Sequence, residues 1–514
     1  MRSLRLNPKP LPVANKNLLL YKMLRNFNFL IISPAIAGSG GFSKNLVPLV
    51  SKEVPKALLP VANQPVILYV LELLDQNDLK NAIVVVEGES AALLISSWIS
   101  INFVDRLHVE VWSCGDCMRV VLTAPKVDNT DDIVIAVPED VGTAGALRAI
   151  DHRLTAKDIL VMSGDLVTEI PPGAVAATHR RHDAAVTAML CPVPVSGLSE
   201  SGSSSGKDKS KKTSRYNIVS LDPTKQFLLH IAAGAEVDKD VRAQKSILRA
   251  VGMMEIRSDL IDTHMYAFKR SALQDVLNQK ENFQSLRRDV LPYLVRSQLR
   301  SELSSNGVQS DENSNGQNGP QDSKILLSQL LANSSTPNFH EIYALGLAGS
   351  APIRKTHKCC VYVANKSNYC ARMNSIQAFT DINRDVVGEA SHLSGYTFSA
   401  QNNIIHPSAV LGSKTTVGPQ CMLGEGSQMG DKSSVKKSVI GRHCRIGSNV
   451  KIVNSVVMNH VSIADGCSIQ GSIICSNVQI QERAVLKDCQ VGAGFVVSAG
   501  GEYKGEALAK KEKL

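Results

Sequence analysis

The chain has 514 residues, of which 44% are hydrophobic and 20% charged. That is ordinary globular composition, long enough for two or three domains that each bury a core, and it excludes a disordered or fibrous protein. The net charge of +9 is modest for this length and does not suggest a nucleic-acid binder, and no stretch is long and apolar enough to cross a membrane.

In chain order the first segment, 1–34, reads as a basic, disordered leader. Arg2, Arg5, Lys9, Lys16, Lys22 and Arg25 precede the run Phe29-Leu30-Ile31-Ile32, and the first acidic residue is Glu53. Such a stretch can imitate a transit or signal segment. The apolar run nevertheless leads straight into Gly38-Ser39-Gly40-Gly41, as the first strand of a nucleotide-binding fold would.

From 35 to 355 the pattern alternates. Ala82 to Val86, Asp158 to Met162 and Ala184 to Leu190 are continuous aliphatic runs of the kind found in buried parallel strands. Between them helical spacing appears: Pro65 suits a first helical turn, and Ile67, Val70, Leu71 and Leu74 share one face. Strand and helix in alternation predict a doubly wound α/β sheet. Three inserts interrupt it, at 112–140, 198–215 and 301–323. The latter two are rich in serine, glycine, asparagine and lysine and read as solvated loops. Cys114 and Cys117 form a lone CxxC, which without a second pair at metal spacing reads as unpaired thiols. The remaining cysteines are scattered, and those at 421, 444, 467, 475 and 489 suit reduced thiols in a core.

After a bridge over 356–400, the segment 401–500 repeats an aliphatic residue every six positions with glycine beside it: Leu411-Gly412, Val417-Gly418, Leu423-Gly424, Met429-Gly430, Ile440-Gly441 and Ile446-Gly447. A six-residue period predicts a left-handed parallel β-helix, with the aliphatic residue inside the prism and glycine easing the corner. About five coils fit, and the doubled pairs Val456-Val457 and Ile473-Ile474 suggest irregular later coils. Such a rod packs and assembles. The sharper alternative, acyl transfer by His406, His443 or His460, lacks a cofactor loop. A polar tail closes the chain at 501–514.

The segment Gly40-Gly41-Phe42-Ser43-Lys44-Asn45-Leu46-Val47-Pro48-Leu49, followed by Pro55-Lys56-Ala57-Leu58-Leu59-Pro60-Val61, resembles the signature of the nucleotidyltransferase superfamily, which joins a sugar phosphate to a nucleoside triphosphate. Gly142-Thr143-Ala144 resembles that family's base-recognising loop, and Ser163-Gly164-Asp165 stands where the family places a magnesium-binding aspartate. The resemblance implies a nucleotide cleft of Gly40, Gly41, Lys56, Gly142, Thr143 and Asp165, with Asp165 a metal ligand only if a magnesium nucleotide still binds. Glycine N–H groups would close on a triphosphate and lysine would steady a phosphate. Ser43-Lys44-Asn45 replaces the glycine, threonine and arginine of the motif, however, and the sugar-phosphate Glu-Lys-Pro is missing. Phosphoryl-type chemistry depends on positioned charge, so the cleft reads as degenerate and no catalytic residue or cofactor is assigned. Residual nucleotide binding stays open.

Degeneracy joined to a β-helix resembles the gamma subunits of eukaryotic translation initiation factor 2B. The likeness extends through the bridge, from His357-Lys358-Cys359-Cys360 to Arg372-Met373-Asn374-Ser375 and Asn383-Arg384-Asp385. It implies a cytosolic, non-catalytic subunit of the complex that exchanges GDP for GTP on initiation factor 2. Its partners would be the epsilon subunit, the other subunits of initiation factor 2B and initiation factor 2 itself, with no direct nucleic acid and no membrane. An active sugar-1-phosphate nucleotidyltransferase of the GDP-mannose or ADP-glucose pyrophosphorylase type is the alternative. The leader and the 112–140 insert fit the gamma family poorly and read as products of alternative or mispredicted splicing. Alanine at Asp165 or Lys56 is expected to leave exchange by the complex nearly intact.

Overall fold

The computed structural model describes residues 27–33, 45–51, 54–79, 81–86, 88–103, 107–113, 119–121, 142–192, 218–232, 247, 251–298, 357–397, 399 and 401–509. The first elements are β1 (Phe27–Ser33), a 3-10 turn (Lys56–Leu58), β2 (Pro60–Val61), β3 (Gln64–Pro65), α1 (Val66–Gln76), β4 (Asn81–Val86), α2 (Glu89–Asn102), β5 (His108–Ser113) and β6 (Arg119–Val121). There follow α3 (Gly142–Ala149), β7 (Asp158–Ser163), β8 (Leu166–Thr168), α4 (Pro172–Arg181), β9 (Val186–Pro192), β10 (Ile218–Leu221), β11 (Leu228–Ala232), β12 (Glu255–Arg257) and β13 (Leu260–Lys269). Next come α5 (Arg270–Gln279), α6 (Leu291–Ser297), β14 (Cys359–Val363), β15 (Cys370–Arg372) and α7 (Ile376–Val387), and then a ladder of short strands from Ile404–Ile405 to Ala507–Leu508.

The chain divides into two compact units. The first takes the residues up to Ala174, Thr263–Met265, and those from Lys366 onward; the second takes Val175–Asp262 and Tyr266–Asn365.

In the first unit β1 pairs in parallel with β4 on one side and β7 on the other, and β4 with β5, while β6 closes the edge antiparallel. Every residue of β7 is buried, which is why the sequence there is an unbroken aliphatic run rather than an alternation. The chain order reverses at β1, and in such sheets ligands meet the carboxyl ends of the strands at the reversal. The central strand β1 lies inside 1–34, the stretch read as leader, and realises the apolar run at 29–32. The expected helical face is also found: Ile67, Val70, Leu71 and Leu74 of α1 are all buried, and Pro65 stands just before the helix.

The second unit holds β9 between parallel β14 and antiparallel β13, and a separate antiparallel sheet in the order β11-β10-β12. Phe227, Leu229, Ile247 and Cys360 form an apolar cluster in this unit.

The ladder in the first unit is a parallel solenoid of three sheets, with seven, six and six strands. That is about six coils rather than the five counted from the repeats. The later coils are also regular. The first step is 18 residues, from Ile404 to its partner Met422, and thereafter partners lie 17 apart, as in Ser434, Lys451, Ser468, Val485 and Glu502. One corner has lost a residue in every subsequent coil, which accounts for the five-residue step from Val435 to Ile440. The doubled aliphatic pairs mark a face buried on both sides. Ile440, Val457 and Ile474 point into the prism core. Their neighbours Val439, Val456 and Ile473 pack outward against Phe379, Ile382 and Val386 of α7 and against Leu59, Val61 and Val66.

Glycine serves the rod differently from expectation. The left-handed corner positions are held mainly by long or polar residues, among them Lys432 (φ 57°), Asn449 (φ 58°) and Arg483 (φ 58°). The glycines after the aliphatic residues are needed for close approach instead. A Cβ on Gly430 would meet the carbonyl carbon of Gly447 in the next coil at 2.6 Å. At another corner buried hydroxyls run in a ladder: Ser455 N–H donates to Ser438 Oγ (3.1 Å), Ser472 N–H to Ser455 Oγ (3.2 Å) and Cys489 N–H to Ser472 Oγ (3.1 Å). Each of these hydroxyls in turn donates to a carbonyl of its own coil, so donor and acceptor are both satisfied along this ladder.

Candidate functional site

The aliphatic run of β7 ends at Ser163, and Gly164-Asp165 turn the chain into β8, so Asp165 stands at a carboxyl end beside the reversal of strand order. Lys56 opens the 3-10 turn that follows Pro55 and is 1% exposed. These two, picked out from the sequence, are brought together: Lys56 Nζ donates to Asp165 Oδ2 in a buried ion pair.

Two further residues complete the cluster. β15 pairs antiparallel with β8, placing Arg372 opposite Leu166, and the Met373 N–H donates to the Asp165 carbonyl at 3.0 Å. From that position Arg372 Nε donates to Asp165 Oδ1 (3.0 Å) and Nη2 to Oδ2 (2.9 Å), while Nη2 also reaches Ser163 Oγ at 3.1 Å. Ser163 Oγ donates to Asp165 Oδ1 at 2.6 Å. Burial alone would push the Asp165 carboxyl up, but the Arg372 guanidinium and Lys56 ammonium hold it far below the usual carboxylate range. Lys56 is lowered too, but for a different reason: burial pushes its ammonium down, the Asp165 charge opposes this, and Arg372 beside it adds to the depression. Sequence reasoning missed Ser163 and Arg372 as site residues. Arg372 lies far along the chain in the bridge, and only a buried carboxylate in need of a counter-charge would have pointed to it.

Of the other expected residues, two are described. Gly142 and Thr143 open helix α3 and are not a loop; Gly142 is exposed with φ +62°. Gly40 and Gly41 lie outside the described residues, as do Ser43, Lys44, Cys114 and Cys117. Asn45 is described and exposed.

Magnesium needs carboxylate oxygens open toward it and prefers oxygen ligands with retained water. Here both Asp165 oxygens are taken by cationic donors and the nearest hydroxyl is taken too, so the residues present do not fit the ion. Among the described residues no group of three or more His, Cys, Asp and Glu is arranged to hold a metal. In the solenoid the His443 and His460 rings stack on each other at a corner, with centroids 5.3 Å apart, and His406 Nδ1 lies 2.8 Å from Ser408 Oγ. Cys421, Cys444, Cys467, Cys475 and Cys489 are buried free thiols. No helix among the described residues is long and apolar enough to cross a membrane.

Similarity to known proteins covers both the sheet region and the solenoid. A family profile described as "Nucleotidyl transferase" matches residues 35–307, and one described as "EIF2B subunit epsilon LbH domain" matches 400–502. The chain is 28% identical over 426 residues, 81% of its length, to the translation initiation factor eIF2B subunit gamma of Dictyostelium discoideum, covering 88% of that protein. It is 27% identical over 477 residues, 92% of its length, to the subunit of the same name from Schizosaccharomyces pombe, covering 89% of it. A 20% match to the Caenorhabditis elegans subunit gamma spans 51% of the chain and 57% of that protein. With the transferase profile covering more than half of its length and a solenoid behind it, the chain belongs to the nucleotidyl transferase family.

Proposed function

We propose that this chain is a non-catalytic assembly subunit of the complex that exchanges GDP for GTP on translation initiation factor 2, and so supports translation initiation. Similarity to gamma subunits of initiation factor 2B runs through both the transferase region and the solenoid, over 81% and 92% of the chain for two relatives. The observation that carries the non-catalytic part is Asp165: its two oxygens are bound by Lys56 and Arg372 within the same chain. A transferase relies on positioned charge around metal and phosphate, and here that charge is spent internally. Its partners are the epsilon subunit, the remaining subunits of initiation factor 2B and initiation factor 2, in the cytosol. It uses no cofactor and touches neither nucleic acid nor membrane.

Affinity purification of the full chain from cytosol tests this. The eluate should contain the epsilon-type subunit and its companions and accelerate GDP release from initiation factor 2, whereas the isolated chain should show little exchange. The active-transferase alternative predicts pyrophosphate from GTP or ATP with a sugar 1-phosphate and magnesium. Turnover at ordinary enzyme rates would overturn the proposal.

A further inference from the structure

We infer that Arg372 is the resident cation of this cleft: its guanidinium stands on both oxygens of Asp165, where a divalent ion would have to bind, and closes the site to a metal nucleotide from within the chain. The inference deepens the non-catalytic reading and rests on that part of it alone.

Three observations carry it. The contact is two-pronged, Nε to Oδ1 at 3.0 Å and Nη2 to Oδ2 at 2.9 Å, a planar match between guanidinium and carboxylate that an ammonium cannot make. The arginine is built in. β15 is hydrogen-bonded to β8 on the strand register Cys370–Thr168, Ala371–Val167 and Arg372–Leu166, and the Arg372 side chain is 9% exposed. Ser163 Oγ, the nearest hydroxyl, is also engaged, donating to Asp165 and accepting from Arg372. The buried cluster already holds two cationic side chains against one carboxylate, so an incoming divalent ion meets repulsion and no open oxygen. The carboxylate serves instead as an internal tie between the sheet and the bridge.

Manganese binding to the full chain, followed by electron paramagnetic resonance, tests this without any activity assay. Wild type and Asp165→Asn should give the same isotherm, because Asp165 offers wild type no metal site. In Lys56→Gln/Arg372→Gln the carboxylate is freed, and binding should tighten on the order of tenfold or more, a gain removed again by adding Asp165→Asn. A manganese site in wild type that Asp165→Asn abolishes would overturn the inference, and that comparison needs no variant lacking the arginine. A double variant with wild-type circular dichroism but no gain in binding would overturn it as well. Neither result bears on exchange by the assembled complex, so loss of exchange with a metal-free Asp165 would count against the assembly reading alone.

Discussion

Arg372 and Asp165 are 207 residues apart in sequence, yet two parallel hydrogen bonds join them in the interior. Because Lys56 shares the same carboxylate, Asp165 is, among the described residues, the one anion paired with both cationic side chains of this cluster. Its removal therefore matters more to stability than removal of either partner, whereas the expectation that alanine at Asp165 or Lys56 leaves exchange by the complex nearly intact concerns a different quantity and stands.

Asp165→Ala should destabilise the chain by about 3–5 kcal/mol, the usual range when one partner of a buried ion pair is deleted and the other is left uncompensated. Lys56→Met should cost less, since it removes the surplus cation and keeps the stem. Urea unfolding of the two variants measures both, and equal midpoints would contradict the reading of Lys56 as the surplus cation.

The same carboxylate predicts an acid limit. Its pKa in the folded state lies well below the ordinary 3.8, so its contribution is fully present above that value and is lost as the pH falls toward the folded value. The stability gap between wild type and Asp165→Asn, which cannot ionise, should narrow below pH 3.8 and stay constant from pH 5 to 7. Thermal melts across that range give the answer, and a gap that widens in acid would contradict the ion pair.

At the alkaline end the solenoid thiols respond. Burial pushes Cys444 up to about 11 and Cys475 up to about 12, from an ordinary 9.0. Raised values give a contribution that is present below pH 9.0 and lost as pH climbs through the folded values, because only the unfolded chain ionises early. Both thiols should resist iodoacetamide in the folded protein at pH 8 and react once urea opens the rod. Fast alkylation of the native chain at Cys475 would show that it is exposed.

Ile446 and Ile469 face the prism interior. Aspartate at either place puts an unpaired charge in a dry core, at a cost of several kcal/mol, and should uncouple the rod from its partner subunits. Gln479→Asp, on an exposed outward position, is the control and should change stability by less than about 0.5 kcal/mol. Co-purification with the other subunits reads the result, and a folded Ile469→Asp chain with normal recovery would sink it.

Asn383 of α7 accepts from the Ala62 N–H at 2.9 Å and donates to the Pro60 carbonyl at 3.3 Å, while Asn63 Nδ2 donates to the Ile440 carbonyl of the solenoid at 2.8 Å. Asn383→Ala strands a buried amide, at a cost of about 1–3 kcal/mol. Hydrogen exchange at Ala62 should accelerate more than at β7; uniform acceleration would mean global destabilisation instead.

Much of this architecture was legible because hydrophobic period reports environment directly. The runs at 82–86 and 158–162 gave buried strands, and a six-residue period gave the rod. What escaped were features set by neighbours distant in sequence. Val456-Val457 looked like irregularity because nothing nearby says that α7 covers the outer residue. Arg372 looked like part of a bridge because its carboxylate lies on another strand. Gly142-Thr143 matched a loop motif, yet good helix-forming residues follow directly in Ala144, Ala146 and Leu147, and the chain coils there from Gly142 onward.

The 17-residue spacing of the coils makes the rod a ruler with discrete marks. An insertion or deletion of one residue inside a coil exchanges inside for outside at every position up to the next corner that can absorb it. Loss of a whole coil takes out a single rung and draws everything beyond it closer by about 4.8 Å. Tolerance to length change along this segment should therefore be periodic: in-frame losses that match one coil are survivable, while shorter ones are damaging out of proportion to their size.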